Sequence, residues 1–240
     1  AQIVSRYNIL AVPVVDDGNK LMGIITVDDV IDVIREEATE DFLQMAGAGR
    51  DRDILLKSTY SNAKTRAPWL FASWFGGLLV ASIISKYEAT LGQVIALVAF
   101  LPIVLGMAGN VGTQTATIVV RGIATGRVAT KGALTLVFKQ FQIGLLLGAL
   151  FGLLLGGAGF LLGTAGYVDI GVMTAFELGV TIGSAIGLAM ATAALVGAVV
   201  PVVLNRLNLD PAVATGPFVS TSSDILGVLV YFIVAGFFIL

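Results

Sequence analysis

Residues 217–240 read PFVSTSSDILGVLVYFIVAGFFIL, an apolar stretch long enough to cross a bilayer, with Asp224 as its single carboxylate. No Lys or Arg lies within ten residues of Asp224 on either side. A carboxylate at membrane depth costs free energy, so such a residue usually faces a cavity or a partner and serves a function. The stretch therefore predicts a membrane helix and makes Asp224 a candidate functional group.

The composition of the whole chain is that of an integral membrane protein. Of its 240 residues, 57% are hydrophobic and 12% are charged, and the mean hydropathy is +0.94. Residues 1–66 hold eleven of the sixteen acids and eight of the fourteen Lys and Arg. This break predicts a soluble N-terminal module joined to a membrane domain that starts near Pro68. The net charge of −2 gives no support for nucleic acid as a partner.

Cysteine and histidine are both absent from the chain. Their absence excludes disulfides, soft-metal sites and catalysis by a thiolate or an imidazole. A metal bound by this chain must be held by oxygen atoms, which favours a hard cation such as Mg²⁺ or Ca²⁺.

Five apolar windows predict five transmembrane helices, so the fold class is a mainly α membrane protein. Two windows contain helix-breaking residues: Pro102 with the glycines of GMAGNVG (106–112), and Gly216-Pro217. Broken helices at membrane depth are tolerated where protein or water receives the freed backbone groups, so both breaks predict pore-lining segments. The predicted spans lie near 68–86, 91–120, 133–163, 171–204 and 211–240.

The positive residues predict the orientation of the chain in the membrane. The first and third connections between spans hold only Lys86. The other basic residues beyond Pro68 are Arg121, Arg127, Lys131 and Lys139 around the second connection and Arg206 in the fourth. By the positive-inside rule the N-terminus is cytoplasmic and the C-terminus is outside.

Two of the predicted spans carry glycines at helical spacing, which favours close packing of helix backbones. The sequence leaves open whether this packing is within one subunit or between two. The glycines are Gly144, Gly148, Gly152 and Gly156 in the third span and Gly179, Gly183 and Gly187 in the fourth.

The N-terminal module predicts a hairpin and then a helix. AVPVV and LMGIIT are predicted strands around a turn at Asp17-Gly18, and Thr26 is the predicted helix cap. The helix, predicted over 28–48 and followed by a linker at 49–66, is strongly acidic. Its acids are Asp28, Asp29, Asp32, Glu36, Glu37, Glu40 and Asp41, against Arg35 as the one base. Four of these acids, Asp29, Asp32, Glu36 and Glu40, recur at spacings of three and four and form an acidic stripe on one helix face. This stripe is either a solvated helix face or a binding surface for divalent cations.

Three segments resemble the bacterial MgtE-type magnesium channels and transporters. VPVVDDGNKLMGIITVDDVIDVIREEATED (12–41) is similar to the end of that family's second CBS repeat and its connecting helix. LPIVLGMAGNVGTQTATIVVRG (101–122) and DPAVATGPFVSTSSDILGVLVYF (210–232) resemble its second and fifth transmembrane helices. The resemblance divides the chain into a partial CBS motif (1–27), the connecting or plug helix, the linker, and a transmembrane pore domain over 67–240.

The resemblance implies a homodimer in the plasma (inner) membrane, in contact with lipid, with a pore at the subunit interface. Asp224 of each subunit would bind a hydrated Mg²⁺, and Mg²⁺ usually keeps several of its waters when carboxylates bind it. At Gly216, where some members carry a polar residue, this chain offers only backbone. The implied pore-lining residues are Gly106, Gly109, Asn110, Gly216, Pro217 and Thr221.

In the family's mechanism the acidic helix would be the gate, closed by cytosolic Mg²⁺ that bridges its carboxylates to neighbouring groups. The implied regulatory residues are Asp29, Asp32, Glu37, Glu40 and Asp41. The segment GIITVDD (23–29) also resembles the CBS nucleotide pattern at Thr26 and Asp29. A complete ATP site needs further parts of a CBS pair, so ATP is not expected here.

Asp224 has a structural alternative, because SSD before ILG is also typical of a helix N-cap. A helix that starts instead at Pro211 places Asp224 about 20 Å along its axis, near mid-membrane. Glu177 is the other acid within an apolar span, about two turns into it by the 3.6-residue period. We expect Glu177 to be interfacial or hydrogen-bonded to a neighbouring helix.

Several functions remain compatible with these residues. The leading hypothesis is a Mg²⁺ channel, and the first alternative is a transporter coupled to protons or Na⁺ through Glu177 and Asp224. An intramembrane aspartyl protease would need these two acids as a dyad, but no YD or GxGD-type motif is present. A structural receptor module would leave Asp224 and the broken spans without a role.

Overall fold

The computed structural model describes residues 2–126 and 132–239. Its ordered elements are eight α-helices, two strands and two short 3₁₀ helices within these ranges. They are α1 (Gln2–Tyr7), β1 (Ala11–Val15), β2 (Leu21–Thr26), α2 (Val27–Met45), a 3₁₀ helix (Arg52–Leu55), α3 (Thr59–Lys86), α4 (Glu88–Gln93), α5 (Ala96–Ala124), α6 (Ala133–Thr164), α7 (Ala175–Arg206), a second 3₁₀ helix (Pro211–Ala214) and α8 (Pro217–Ile239).

The N-terminal module contains the predicted hairpin. Strands β1 and β2 pair antiparallel, with Ala11 opposite Thr26. The Asp16 carboxylate accepts hydrogen bonds from the backbone N–H groups of Gly18 and Lys20, both at 2.9 Å, and so closes the turn. Thr26 is the N-cap of α2, as predicted. Helix α1 was not predicted, because six residues are too few to show a helical period.

Five helices are long and apolar enough to cross a membrane, which confirms the predicted number of spans. They are α3, α5, α6, α7 and α8. The predicted interruption of the second span is wrong, because α5 runs without a break through Pro102, Gly109 and Gly112. A proline removes only one backbone donor, and the two glycines are buried against neighbouring helices that hold this segment.

The break at Gly216-Pro217 lies at the start of the last helix instead of inside it. The 3₁₀ helix Pro211–Ala214, capped by the Asp210 carboxylate, precedes it, and Pro217 is the first residue of α8. Proline is favoured at a first helical position because the N–H it lacks has no helical partner there. The expected single helix from Pro211 is therefore divided into two elements.

Helix α7 is the centre of the bundle and packs against α5, α6 and α8, while α3 lies on α8. The predicted close packing of glycines occurs between α6 and α7 of one chain. A Cβ atom added at Gly148 would lie 2.5 Å from the Gly187 carbonyl oxygen, and one at Gly152 would lie 2.6 Å from that of Gly183. The two backbones are in contact along this face, and side chains cannot be added there without separating the helices.

The connections gather at two ends of the bundle. At one end the backbone N–H of Ala96 donates to Asp169 at 3.1 Å, which joins the first and third connections. At the other end the Arg50 guanidinium donates to Asp210 at 3.0 Å, which joins the linker after α2 to the fourth connection. Arg127, Lys131 and Leu240, which entered the predictions of orientation and of the fifth span, lie outside the described residues.

Candidate functional site

Asp224 is the eighth residue of α8, about 10 Å along the axis from Pro217 at 1.5 Å per residue. It is therefore neither an N-cap nor at the 20 Å depth expected for a helix that starts at Pro211. Its side chain is half-buried. Among the described residues no hydrogen bond or ion pair reaches its carboxylate. A carboxylate placed this way retains its full capacity to bind a cation or ordered water.

The backbone of α5 forms one wall beside the Asp224 carboxylate. A Cβ atom added at Gly109 would lie 3.7 Å from Asp224 Oδ1 and 3.8 Å from Ser220 Oγ. Gly109 thus allows α8 to bring a carboxylate and a hydroxyl close to the α5 backbone. Ser220, one turn before Asp224, was not among the predicted site residues, although its four-residue spacing from Asp224 predicts a shared face.

Thr221 points away from this wall. Its methyl group fills the space above Gly76 of α3, where no side chain could be added. At about 100° per residue, Thr221 and Asp224 lie about 60° apart around α8. Thr221 is thus a predicted lining residue that is packed against α3 of the same chain.

The outer face of α5 carries an exposed polar stripe. Gly106 and Asn110 are exposed, and Gln114, Thr117 and Arg121 continue the same face at spacings of three and four residues. The sequence-based prediction included only Gly106, Gly109 and Asn110 from this helix. The spacing of the later polar residues was a usable signal for the rest of the stripe. A polar stripe on a membrane helix indicates contact with water or protein instead of lipid.

Gly216 and Pro217 lie under the end of the acidic helix. A Cβ atom added at Gly216 would collide with the carbonyl oxygen of Met45, the last residue of α2. The Pro217 ring lies 3.0 Å from the Cβ position of Gly47, whose φ of +67° is a left-handed conformation that favours glycine. The two predicted lining residues are thus covered by the segment that follows α2.

The predicted regulatory acids do not converge within the chain. Among the described residues no group of three or more acidic side chains is arranged to hold a metal ion. Asp29 accepts hydrogen bonds from Thr26 Oγ1 at 2.6 Å and from Thr26 N–H at 2.8 Å, and these bonds lower its pKa. Thr26 and Asp29, the residues of the CBS-like nucleotide pattern, therefore form a capping box at the start of α2.

Asp32 and Asp41 lie in different surroundings along α2. Asp32 is exposed, with Arg35 at 3.9 Å. Asp41 is half-buried, and burial, followed by the nearby charges of Asp210 and Glu37, raises its pKa. Asp41 therefore lies in the junction between α2 and the fourth connection, while Asp32 lies on the solvated part of the helix. Glu37 is exposed, and Glu40 is half-buried.

Comparison with known proteins covers both parts of the chain. Residues 101–234, which contain the α5 stripe and Asp224, match the model of the MgtE family, described as divalent cation transporters. The chain belongs to the MgtE family. Residues 1–36 match the CBS domain model, which agrees with the hairpin and the start of α2.

Three curated members of the MgtE family align with almost the whole chain. Proteins named magnesium transporter MgtE are 38% identical in Bacillus subtilis, over 100% of this chain, and 37% identical in Enterococcus faecalis, over 99%. The protein of that name in Thermus thermophilus is 35% identical over 98%. The chain spans about half the length of these relatives, between 50% and 51%. The predicted resemblance is confirmed.

Glu177 has a structural role at the start of its own helix. It is the third residue of α7, not two turns along it, and accepts hydrogen bonds from Thr174 N–H at 2.7 Å and Thr174 Oγ1 at 2.9 Å. Ala193, whose carbonyl lies beside Gly112 at the level of Ser223, is sixteen residues further along the same helix. This corresponds to about 24 Å at 1.5 Å per residue, so Glu177 and Asp224 cannot form a dyad within the chain.

Proposed function

We propose that this chain forms a Mg²⁺-selective channel through which Mg²⁺ moves down its electrochemical gradient, with Asp224 as the ion site. The observation that carries the proposal is the half-buried Asp224 carboxylate, which lacks a protein partner among the described residues and lies beside the α5 backbone at Gly109. A carboxylate kept uncompensated at membrane depth costs stability, and ion binding offsets that cost. The names of the three relatives, all magnesium transporters, agree in substrate.

The chemistry of the site suits a hydrated divalent cation. Mg²⁺ sheds water reluctantly and is usually held by one or two carboxylates with its remaining waters kept. Ser220 next to Asp224, and Asn110 on the exposed side of α5, offer oxygen atoms that can hydrogen-bond to such waters. The chain has no thiolate or imidazole ligand that would favour a softer metal in a mixed site.

The pore is proposed to lie between two copies of the chain. The α5 stripe is polar and is left exposed by the described residues of one chain, and a polar helix face in a membrane requires protein or water against it. A second copy of the chain would place an identical polar stripe against the first and would supply the second Asp224 carboxylate for the same ion. The homodimer is therefore part of the proposal and not an addition to it.

Gating is proposed to occur at the end of α2, with the N-terminus cytoplasmic and the C-terminus outside. The segment after α2 covers Gly216 and Pro217 at the start of α8, and α8 carries Asp224 two turns further on. Cytosolic Mg²⁺ would stabilise this arrangement by bridging the carboxylates of α2 to acidic groups on other parts of the assembly. Since the acids do not converge within one chain, the regulatory sites require such partner groups.

The decisive experiment measures Mg²⁺ flux into proteoliposomes that contain the protein, without a proton or Na⁺ gradient. Asp224→Asn should reduce flux by at least about tenfold, because the isosteric amide removes the charge that attracts the ion. The matched control is Glu177→Gln, which keeps an oxygen for the capping bond and should leave flux unchanged. Parallel measurements with Mn²⁺, Co²⁺ and Ca²⁺ rank selectivity.

Two results would contradict the proposal. Normal flux through a properly inserted Asp224→Asn protein would remove Asp224 from the ion path. Flux that requires a proton or Na⁺ gradient and is lost in Glu177→Gln would support coupled transport instead.

A further inference from the structure

The junction between the segment after α2 and the start of α8 is held at two points. At the first, the Gly216 backbone meets the Met45 carbonyl and Pro217 packs on Gly47. At the second, the Arg50 guanidinium donates to Asp210 Oδ2 at 3.0 Å, across 160 residues of sequence. The side chain of Asp210 is 30% exposed and that of Arg50 is 62% exposed, so the pair lies at the rim of the junction. Both contacts bring the end of the acidic helix to the entrance of α8.

Both carboxylate oxygens of Asp210 are already engaged. Oδ2 accepts from Arg50, and Oδ1 accepts from the Ala212 backbone N–H at 2.9 Å as the cap of the 3₁₀ helix. The negative charge of Asp210 is thus neutralised by a side chain of the same protein. A divalent cation that binds this carboxylate would compete with Arg50 for its charge.

The other charges at the junction are mostly negative, and Arg50 contributes an attraction between the segment after α2 and Asp210. The negative charges of Asp210, Glu37 and Glu40 all act on Asp41, and the field of Arg121 acts on it in the opposite sense. Arg50 is the cation in direct contact with Asp210. Asp210 repels Asp41 even with Arg50 in place, and loss of Arg50 would remove an attraction that offsets this repulsion across the junction.

We propose that the Arg50–Asp210 ion pair is a latch that holds the end of α2 on the entrance of α8 without a divalent ion. The latch rests on the proposed function, because it acts on a gate at that entrance. It adds a second, Mg²⁺-independent contribution to closure. When internal Mg²⁺ is absent, the latch keeps part of the population closed; when Mg²⁺ is abundant, divalent ions can screen Asp41 and Asp210 and reduce the need for Arg50.

The test compares flux in variants with internal Mg²⁺ absent and with it abundant. Arg50→Ala should raise Mg²⁺ flux by about two- to fivefold in the absence of internal Mg²⁺, the range expected for a partly exposed ion pair, and by less when internal Mg²⁺ is high. Asp210→Asn should act similarly, since its amide oxygen can still cap Ala212. The charge swap, Arg50→Asp with Asp210→Arg, should restore closure relative to Asp210→Arg alone, since both proteins lack the cap on Ala212.

A matched control comes from the same linker. Lys57 pairs with Asp51 within the linker and touches neither α8 nor Asp210 through that pair. Lys57→Ala should therefore leave flux unchanged. Flux that depends on Asp224 but is the same in Arg50→Ala as in the native protein, or lower, would overturn the latch while the proposed function stands.

A second measurement tests the latch even if no flux is found. The chain contains no cysteine, so Thr39→Cys on α2 and Asn205→Cys near the end of α7 introduce the only thiols for spin labels. Arg50→Ala should broaden the distance distribution between the labels, and the charge swap should narrow it again. An unchanged distribution in Arg50→Ala overturns the latch, whereas absence of Asp224-dependent flux in the native protein overturns the proposed function.

Discussion

The α6–α7 pair and the α5–α8 pair are built from similar small residues but use them differently. Between α6 and α7, glycines oppose glycines, and the backbones touch with no ionisable side chain between them. Between α5 and α8, Gly109 opposes the Asp224 carboxylate and the Ser220 hydroxyl. In the first pair the missing side chains permit contact of helices, and in the second they leave space beside a charge. The comparison teaches that a glycine in a membrane helix has to be interpreted through what lies opposite it.

The largest expected effect on stability tests the contact role of the α6–α7 pair. Gly148→Ala places a Cβ atom 2.5 Å from the Gly187 carbonyl oxygen, which cannot move away independently of α7. We expect the protein to lose about 1–3 kcal/mol of stability, as in other overpacked cores. Thermal unfolding in detergent, monitored by size-exclusion chromatography, measures this loss.

Gly157→Ala is the matched control for that substitution, because nothing lies within 4 Å of the added Cβ. Its stability should equal or slightly exceed that of the native protein. Equal stability of Gly148→Ala and Gly157→Ala would show that the backbones of α6 and α7 are not in contact in the membrane.

The next prediction separates stability from function in the α5–α8 pair. Asp224→Leu removes a half-buried carboxylate that has no hydrogen-bond partner among the described residues. The free energy of unfolding should therefore stay the same or rise by about 1 kcal/mol, while Mg²⁺ flux is lost. Thermal unfolding and flux are measured on the same preparation. A marked loss of stability would mean that Asp224 serves the fold, as Gly148 does.

Gly109→Ala tests the space beside the carboxylate. The added Cβ would lie 3.7 Å from Asp224 Oδ1, an ordinary contact, so stability should change little. The methyl group would displace water from the site, and we expect flux to fall by about fivefold, within the range for loss of an ordered water. If Gly109→Ala instead unfolds like Gly148→Ala, the two pairs use their glycines in the same way.

A smaller effect is expected from the polar stripe of α5. Asn110 is exposed in one chain, so Asn110→Ala should leave stability unchanged and lower flux by about two- to fivefold through loss of one hydrogen bond to water or ion. Leu153→Ala, at an exposed position of α6, is the control and should leave flux unaltered. Equal flux in both variants would separate the α5 stripe from the ion path.

The smallest effect is a pH dependence at the junction outside the membrane helices. Burial, Asp210 and Glu37 raise the pKa of Asp41 above its ordinary value. At a pH between the ordinary pKa of an Asp and the raised pKa of Asp41, the folded protein holds a proton that the unfolded chain has released. Docking of α2 is therefore favoured at low pH and weakened as the pH rises through the raised pKa. Asp41→Asn should remove this dependence, which spin-label distances across the junction can follow. A pH response retained in Asp41→Asn would assign it to another group.

The sequence predicted much of the fold from local patterns. Hydropathy identified five spans, the apolar runs on either side of the Asp17-Gly18 turn identified β1 and β2, and Thr26 was recognised as a cap, since each of these signals is contained in a short window. Continuity was misjudged in α5, because whether Pro102 breaks a helix depends on its neighbours. The position of Asp224 along α8 was misjudged because Asp210-Pro211 starts a separate 3₁₀ helix.

By itself the sequence determined that this protein has five segments apolar enough to cross a membrane, that it has no thiolate or imidazole for a metal, and that Asp224 is a carboxylate in an apolar segment. It also carried the family resemblance. Only the tertiary structure decided what each small or charged residue faces. Gly148 faces another backbone, Gly109 faces a carboxylate, Glu177 bonds to the N-cap of its own helix, and Arg50 pairs with Asp210 in the fourth connection. The physical reason is that hydrophobicity and turn chemistry act over a few residues. Which residues face one another across two elements is set by packing between segments that are as much as 160 residues apart.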